Sequence, residues 1–165
     1  MIVTLALLLL GSNPALASFP PEVTGPGTHV VAFLSSRCPC SASHEKILAE
    51  LAKEYGPKGF TFTGIHSNAD ETEASDDAHF QAAQLPFAVL KDPGSKWADA
   101  MGALKTPHVF VIKDGRTLYS GGVDNSARAD RATEFFLKDA LKALAQGQEP
   151  PMARTRALGC VIRRE

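Results

Sequence analysis

The sequence predicts an α/β fold in which a central mixed sheet is flanked by helices and ends in an antiparallel hairpin. An uninterrupted apolar run at 30–34 is typical of a strand that is buried on both faces of a sheet. Further strand-like runs alternate with amphipathic segments along the chain, which favours parallel strands joined by helices. Late in the sequence, Asp114-Gly115 separates two strand patterns and predicts a tight hairpin turn.

The chain begins with a segment typical of a secretory signal peptide. Residues 2–10 are apolar and lead to the small-residue sequence Ala15-Leu16-Ala17, so we expect a signal peptide at 1–17. The usual basic residues before the run are missing, so that either Met1 is internal to a longer reading frame or the segment stays as a weak anchor. Because the run is too short to span a bilayer, we expect no stable membrane insertion after cleavage and a periplasmic or secreted protein.

The rest of the chain divides into a lead-in, one domain and a tail. Pro and Gly at 18–28 predict an irregular lead-in, which is followed by a domain at 29–147 and a basic tail at 148–165 that carries Cys160. The predicted strands lie at 30–34, 60–65, 87–90, 109–112 and 117–120. The predicted helices run from the turn after the first strand to Tyr55, over 72–84, over 95–101, and from the capping residues Asp124, Asn125 and Ser126 to about Ala145.

Composition limits the kinds of partner. The chain has 165 residues, of which 44% are hydrophobic, and this fits one globular domain with its own core. Its 17 basic and 18 acidic residues leave no charge excess, which argues against nucleic acid or an anionic membrane surface as the main partner. We therefore expect proteins or small molecules as partners, and no cofactor.

Two cysteines flank one proline where the first strand ends and the first helix begins. The sequence there is Arg37-Cys38-Pro39-Cys40-Ser41. Unpaired N–H groups and the positive end of the helix dipole favour a negative charge at such a position, and Arg37 is expected to act in the same direction. We therefore expect Cys38 to be an exposed, acidified thiol. The thiolate is the form that attacks disulfides, reduces peroxides and binds metals.

The number of cysteines also favours catalysis. An exported protein folds in an oxidising compartment, where disulfides persist. With three cysteines in the chain, any single bridge leaves one thiol over. An odd count suits redox chemistry better than structural cross-linking.

At this point the chain resembles a known family. Residues 33–41 are similar to the active-site segment of thioredoxin-fold redox proteins, and Thr106-Pro107 is similar to their cis-proline. Lys113-Asp114-Gly115, together with Tyr119 and Gly121, resembles their edge hairpin. The resemblance implies a thioredoxin-like fold, with a strand-helix insertion between Thr72 and Met101 and a C-terminal tail.

Within that fold, the closest resemblance is to the redoxin branch that is related to alkyl hydroperoxide reductase and thiol-specific antioxidant proteins. Exported members are similar in a Cys-Pro-x-Ser segment, a Gly-x-x-Asp segment and a Gly-Cys-x-Ile segment, which correspond here to 38–41, 121–124 and 159–162. The resemblance implies thiol-disulfide oxidoreductase activity, with antioxidant peroxidase activity as the nearest variant. It also implies thiol- or disulfide-bearing protein substrates or peroxide, and a reducing partner protein with its own thiols.

The sequence departs from both familiar patterns. In a thioredoxin-type dithiol two residues separate the cysteines, so that Cys38 is the nucleophile and Ser41 occupies the resolving position. Peroxiredoxins carry proline and threonine where this chain has Val31 and Ser35. The resolving thiol is therefore Cys40, through a tight ring, or Cys160, which we favour because a mobile tail reaches the site at small loop-closure cost.

Two other functions remain open from the residues alone. Cys38, Cys40 and His44 form a Cys-x-Cys-x-x-x-His cluster of the soft type that copper(I) or zinc prefers, which predicts a metal-handling protein without turnover. The other is a catalytically silent interaction module. For the catalytic hypothesis, a cis bond at Pro107 would place backbone against the reactive sulfur and orient a bound polypeptide.

Overall fold

The computed structural model describes residues 19–164, so the predicted signal peptide at 1–17 lies outside the described residues. Its strands are β1 Thr28–Leu34, β2 Phe60–His66, β3 Val89–Lys91, β4 Lys105–Thr106, β5 His108–Lys113, β6 Arg116–Gly121 and β7 Cys160–Val161. The main sheet has the strand order β3-β2-β1-β5-β6, and a second sheet pairs β4 with β7. β1, β2 and β3 are parallel, whereas β5 and β6 are antiparallel to their neighbours. The predicted mixed sheet with a late hairpin is confirmed.

Helices lie on both faces of the main sheet. They are α1 Pro21–Thr24, α2 Pro39–Tyr55, α3 Glu73–Ala83, α4 Lys96–Met101 and α5 Phe136–Ala145. α2 continues into a 3-10 turn at Gly56–Lys58, where the predicted Gly-Pro stop lies. None of the helices within residues 19–164 is long and apolar enough to cross a membrane.

β1 is buried on both faces, as the apolar run predicted. Val30 and Leu34 point to one face, where they pack in a cluster with Leu48 of α2 and Leu141 of α5. Phe33 points to the opposite face, where the cluster includes the following residues of the lead-in, α1, α4 and the tail: Phe19, Val23, Ala98 and Ile162. The period of two along β1 therefore separates two hydrophobic cores.

The lead-in is more ordered than predicted. Residues 21–24 form α1, and Val23 is fully buried beneath the sheet. Pro20 and Pro21 do not prevent this, because proline fits the first turn of a helix, where its missing N–H would have no intrahelical partner. Burial of Phe19 and Val23 in the second core favours the ordered turn.

The last helix is shorter than predicted. The expected helix from Asp124 to about Ala145 begins instead at Phe136, and a loop with a 3-10 turn at Ala129–Arg131 precedes it. The side chain of Asn125 does not cap a helix, because its Oδ1 accepts bonds from the backbone N–H groups of Thr133 and Glu134 and thereby closes the loop. The capping residue types at 124–126 serve this loop and a buried ion pair of Asp124.

The C-terminal tail is fixed against the domain. Expected to be mobile, it instead contains β7, in which Lys105 faces Val161 and Thr106 faces Cys160 in antiparallel register. Ile162 is 2% exposed, and its N–H donates to the carbonyl O of Leu104 at 3.1 Å. Burial of an apolar residue near the end of the chain explains why a basic, proline-led segment is ordered.

Candidate functional site

Cys38 lies between β1 and α2, as predicted. It is the N-cap residue of α2, and its Sγ accepts a hydrogen bond from the backbone N–H of Ser41 at 3.4 Å. Pro39 occupies the first helical position, where a proline does not disturb the helix. The Ser41 Oγ in turn accepts a hydrogen bond from the backbone N–H of Ser35 at 3.1 Å, so the turn is held from inside.

The segment before β5 lies against the same sulfur. The Thr106-Pro107 peptide bond is cis, as predicted. The thiol of Cys38 donates to the carbonyl O of Thr106 at 3.1 Å. Cys38 is thus bounded by the start of α2 on one side and by the cis-proline segment on the other.

The tail brings a second thiol to this position. Cys160 pairs with Thr106 across the β4–β7 ladder. Gly159 comes so close that a Cβ added to it would lie 2.1 Å from the carbonyl O of Thr106, so only glycine fits there. Close approach of the two backbones therefore depends on the missing side chain at 159.

The three cysteine sulfurs form one cluster. Cys38, Cys40 and Cys160 are all free thiols, and their Sγ atoms all lie within 4.8 Å of one another. We call this group the sulfur cluster. His44, predicted as a third ligand with Cys38 and Cys40, does not belong to it. The structure instead places Cys160 at the third position.

The thiols of the sulfur cluster differ in acidity. Burial by itself raises the pKa of Cys38. However, the Cys160 thiol, the Thr106 hydroxyl and backbone N–H groups, which can donate to the thiolate, hold that pKa below its ordinary value. Burial, then the hydrogen bond and the charge of Cys38, raise the pKa of Cys160 to about 12. Burial and the charge of Cys38 also raise the pKa of Cys40. Cys38 is therefore the thiol that ionises first.

Arg37 differs from its predicted role. Its side chain is exposed, and its guanidinium donates to the carbonyl O of Asp70 at 3.1 Å. The groups that chiefly lower the pKa of Cys38 are hydrogen-bond donors rather than this cation. A nearby backbone carbonyl holds the guanidinium in place beside the turn instead.

Cys38 is also less accessible than predicted. Its side chain was expected to be exposed, but the residue is only 3% exposed, because the docked tail covers it. It still lines an open cleft of about 200 Å³ together with Ser35, Arg37, Asn68, Asp70, Glu71, Cys160, Val161 and Arg163.

A buried carboxylate ties the cysteine turn to β2. Glu71 accepts a hydrogen bond from the backbone N–H of Ser36 at 2.8 Å and from the hydroxyls of Ser35 and Ser36. His66 contacts Glu71 through Nε2 at 3.0 Å and Asp76 through Nδ1 at 3.3 Å. Burial alone raises the pKa of Glu71, but these hydrogen bonds and the charge of His66 lower it to about 2.

The same network reaches the tail. Asn68 donates through Nδ2 to Glu71 at 2.8 Å and accepts through Oδ1 from the backbone N–H of Arg163 at 2.7 Å. Both ring nitrogens of His66 already face carboxylates, so the histidine and its acidic partners form an ion network rather than an open ligand set. We call His66, Asn68, Glu71 and Asp76 the Glu71 network.

His44 is held away from the sulfurs by a buried ion pair. Its Nε2 lies 3.1 Å from Asp124 Oδ2, and both side chains are 1% exposed. Its Nδ1 lies 2.7 Å from the carbonyl O of Cys40. Both ring nitrogens are therefore engaged, and the sequence-predicted set of Cys38, Cys40 and His44 does not assemble.

Sequence reasoning missed Glu71 and Asp76 of the Glu71 network and the role of the Thr106 side chain. An acidic residue just after β2, at the edge where the cysteine turn lies, was the available signal for Glu71. For Thr106, the only signal was its position before the proline. The role of its side chain depends on burial beside Cys38, which the sequence does not show.

Comparison with known proteins gives one family match. The family model described as Redoxin matches residues 15–134, a stretch that contains Cys38 and Pro107 and ends before Cys160. None of the curated proteins matches the chain.

Solved structures show the same fold. An uncharacterised conserved protein from Geobacillus kaustophilus is 26% identical, with a TM-score of 0.77, over 87% of this chain and 80% of that one. A hypothetical protein from Sinorhizobium meliloti is 27% identical, with a TM-score of 0.75, over 87% of this chain and 82% of that one. A thioredoxin-like protein in its oxidised form is 13% identical over 76% of this chain and 82% of that one, with a TM-score of 0.62, a likeness of fold alone.

Proposed function

Because the chain belongs to the redoxin family and has a thioredoxin-like fold, we propose that it is a thiol-disulfide oxidoreductase with Cys38 as nucleophile and Cys160 as resolving thiol. One observation carries this proposal. The thiol that caps α2, and whose pKa is lowered, has its Sγ within 4.8 Å of that of a second thiol, which the tail holds beside it.

The proposed reaction proceeds through two exchanges. The Cys38 thiolate attacks one sulfur of a substrate disulfide, and the other substrate sulfur leaves as a thiolate. Cys160 then attacks Cys38 Sγ, its proton passes to the departing substrate sulfur, and a Cys38–Cys160 disulfide forms. The substrate is reduced by two electrons and the enzyme is oxidised by two. A partner protein with two thiols returns the enzyme to the dithiol state.

Peroxide is a second oxidant for the same pair. The Cys38 thiolate attacks the nearer oxygen of a hydroperoxide, the O–O bond breaks, and the alcohol or water leaves with a proton. Cys160 then displaces water from the Cys38 sulfenic acid and forms the same disulfide. The open cleft that Cys38 lines supports this variant, because a small oxidant could reach Cys38 there while the tail stays docked.

Cys160 is better placed than Cys40 to resolve the intermediate. Cys160 belongs to β7, and its Sγ lies within 4.8 Å of that of Cys38, so a bond between them forms from an existing proximity. Cys40 follows Cys38 within the first turn of α2, and a bridge there would strain the start of the helix. We therefore assign Cys40 no step in the exchange.

Polypeptide substrates would compete with the tail. The edge of β4 beside the cis-proline segment is the place where an extended chain could pair through its backbone, and β7 already occupies it. A disulfide-bearing protein substrate therefore binds after residues 159–163 have lifted from that edge. Pro107 then orients the incoming chain against Cys38.

Export is part of the proposal. Residues 1–17 carry the apolar run and the small-residue sequence of a signal peptide, which supports a periplasmic or secreted enzyme. An oxidising compartment supplies disulfides for the proposed reaction.

The test combines assays of disulfide exchange and peroxide consumption with mapping of the disulfide that forms. The reduced protein is expected to reduce insulin disulfides and to consume hydrogen peroxide in the presence of a dithiol reductant, and Cys38→Ser is expected to abolish both. Trypsin places Cys38 and Cys40 in one peptide and Cys160 in another. A cross-link between those peptides through Cys38 supports the proposal, whereas a bridge between Cys38 and Cys40 contradicts the assignment of Cys160. Full activity in Cys38→Ser would contradict Cys38 as the nucleophile, and a reduced unaltered chain with neither activity would favour the catalytically silent module.

A further inference from the structure

The sulfur cluster has the dimensions of a three-coordinate metal site. A soft metal with metal–sulfur distances of about 2.3 Å in a trigonal plane separates its ligands by about 4 Å. The Sγ atoms of Cys38, Cys40 and Cys160 all lie within 4.8 Å of one another, so small side-chain movements bring them to that spacing. Two ligands come from the first turn of α2 and one comes from β7.

The three sulfur ligands of the cluster favour Cu(I) over zinc. Among residues 19–164, no imidazole nitrogen or carboxylate oxygen completes a fourth position with the three sulfurs. His44 is engaged by Asp124, and His108 Nδ1 accepts from the backbone N–H of Leu104 at 3.3 Å. Zinc in proteins favours four ligands in a tetrahedron, whereas thiolates without a fourth ligand suit Cu(I).

The surroundings partly balance the charge of such a site. Three thiolates around Cu(I) carry a net charge of −2. The N-terminal N–H groups of α2 lie next to Cys38, and Arg37 and Arg163 line the same cleft, so that both favour this anion. Asp70 and Glu71 also line the cleft and oppose it, although His66 contacts the carboxylate of Glu71.

We propose that the reduced protein binds one Cu(I) ion through the sulfurs of Cys38, Cys40 and Cys160. The site gives Cys40 a role, since the proposed disulfide exchange uses only the other two cysteines. Binding releases the thiol protons and requires no change in the oxidation state of copper. Because a Cys38–Cys160 disulfide removes two ligands, metal binding and oxidation exclude each other.

The test is an anaerobic titration of the fully reduced chain with Cu(I) in competition with a chromophoric chelator. One Cu(I) per chain is expected, with X-ray absorption showing three sulfur neighbours at about 2.3 Å and no imidazole. The protein oxidised to the Cys38–Cys160 disulfide is expected to take up none. Absence of binding to the reduced chain, or imidazole scattering from the bound ion, would overturn the proposal.

Two variants assign the ligands. Loss of a residue that only orients a metal ligand can already lower metal affinity by about 100-fold, and loss of a ligand should lower it at least as much. Cys40→Ser is therefore expected to lower the affinity for Cu(I) by at least about 100-fold. His44→Gln is expected to bind Cu(I) as the unaltered chain does. Unchanged affinity in Cys40→Ser would overturn the three-sulfur site. Disulfide mapping in the absence of copper tests the oxidoreductase separately, so either proposal can fail alone.

Discussion

Thr106 and Cys160 lie opposite each other in the ladder between β4 and β7, and this pairing holds a thiol from the end of the chain beside the N-cap sulfur of α2. Two further contacts fix the tail, from the backbone N–H of Ile162 to Leu104 and from that of Arg163 to Asn68. The proximity of Cys38 and Cys160 is therefore a consequence of backbone pairing.

Gly159→Ala tests the importance of that pairing. A Cβ at 159 would lie 2.1 Å from the carbonyl O of Thr106, so the two strands must separate. We expect formation of the Cys38–Cys160 disulfide after a pulse of oxidant to slow by about tenfold or more, which corresponds to about 1.4 kcal/mol. Quenched samples, alkylated and weighed by mass spectrometry, give the rate.

Gly56→Ala is the matched control for this variant. Gly56 has a right-handed helical conformation, and a Cβ there meets nothing within 4 Å. It is expected to form the disulfide at the rate of the unaltered chain. Equal rates in the two variants would show that β4–β7 pairing does not limit the approach of the sulfurs.

Thr106→Val tests the hydroxyl beside Cys38. Thr106 Oγ1 is buried and has no hydrogen-bond partner within the described part of the chain, because the Cys38 thiol is directed at the carbonyl O of Thr106 instead. Once Cys38 loses its proton, the hydroxyl can turn to the sulfur, and the Thr106 side chain is among the groups that lower the Cys38 pKa. We expect slower alkylation of Cys38 by iodoacetamide near neutral pH.

The free energy of unfolding separates this effect from a general loss of structure. Valine matches the shape of threonine and removes a buried hydroxyl that lacks a partner, so Thr106→Val is expected to be no less stable than the unaltered chain. Thr61→Val, at an exposed position of β2, should alter neither quantity. If Cys38 in Thr106→Val were alkylated at the original rate, the Thr106 hydroxyl would not contribute to formation of the thiolate.

The sequence predicted those parts of the site that depend on local chemistry. The apolar run of β1, the N-cap position of Cys38 and the cis bond at Pro107 all follow from short patterns or from a resemblance over short segments. These features need no knowledge of distant contacts.

The parts that were predicted wrongly depend on pairing over long distances in the chain. The accessibility of Cys38 is set by a tail more than a hundred residues later. His44 has helical spacing from Cys40, but a buried Asp124 on a loop takes its ring. Asp124 was predicted to cap a helix, because an aspartate suits both a helix cap and a buried pair with histidine. The sequence does not distinguish these two roles.

Glu71→Gln is expected to weaken the support of the cysteine turn. Glu71 accepts hydrogen bonds from Ser35, Ser36 and Asn68 and contacts His66, and its side chain is 3% exposed. Removing the charge leaves His66 with one carboxylate fewer, and we expect the free energy of unfolding at pH 7 to fall by about 3 kcal/mol. Chemical denaturation followed by circular dichroism measures it.

The same carboxylate predicts a dependence on pH. The pKa of Glu71 is lowered to about 2, so the unfolded chain binds a proton there more readily than the folded one does. The contribution of Glu71 to the free energy of unfolding is complete well above the ordinary glutamate pKa of about 4.3. It is lost as the pH falls from there toward 2. Glu71→Gln should flatten this part of the stability curve, whereas Glu50→Gln, on the exposed side of α2, should not. Parallel curves for all three proteins would contradict the assignment.

Cys160→Ser is expected to stop the reaction after its first step. When one equivalent of hydrogen peroxide is added, Cys38 can still form a sulfenic acid, but the thiol that would displace water from it is gone. We expect a dimedone adduct on the peptide that begins at Cys38, identified by mass spectrometry, at several times the yield from the unaltered chain. Cys40→Ser keeps the facing thiol at 160 and is expected to give the disulfide instead of the adduct. If the adduct accumulated in Cys40→Ser and not in Cys160→Ser, the resolving thiol would be the neighbour within α2, and the docked tail would serve the fold and the metal site rather than the exchange.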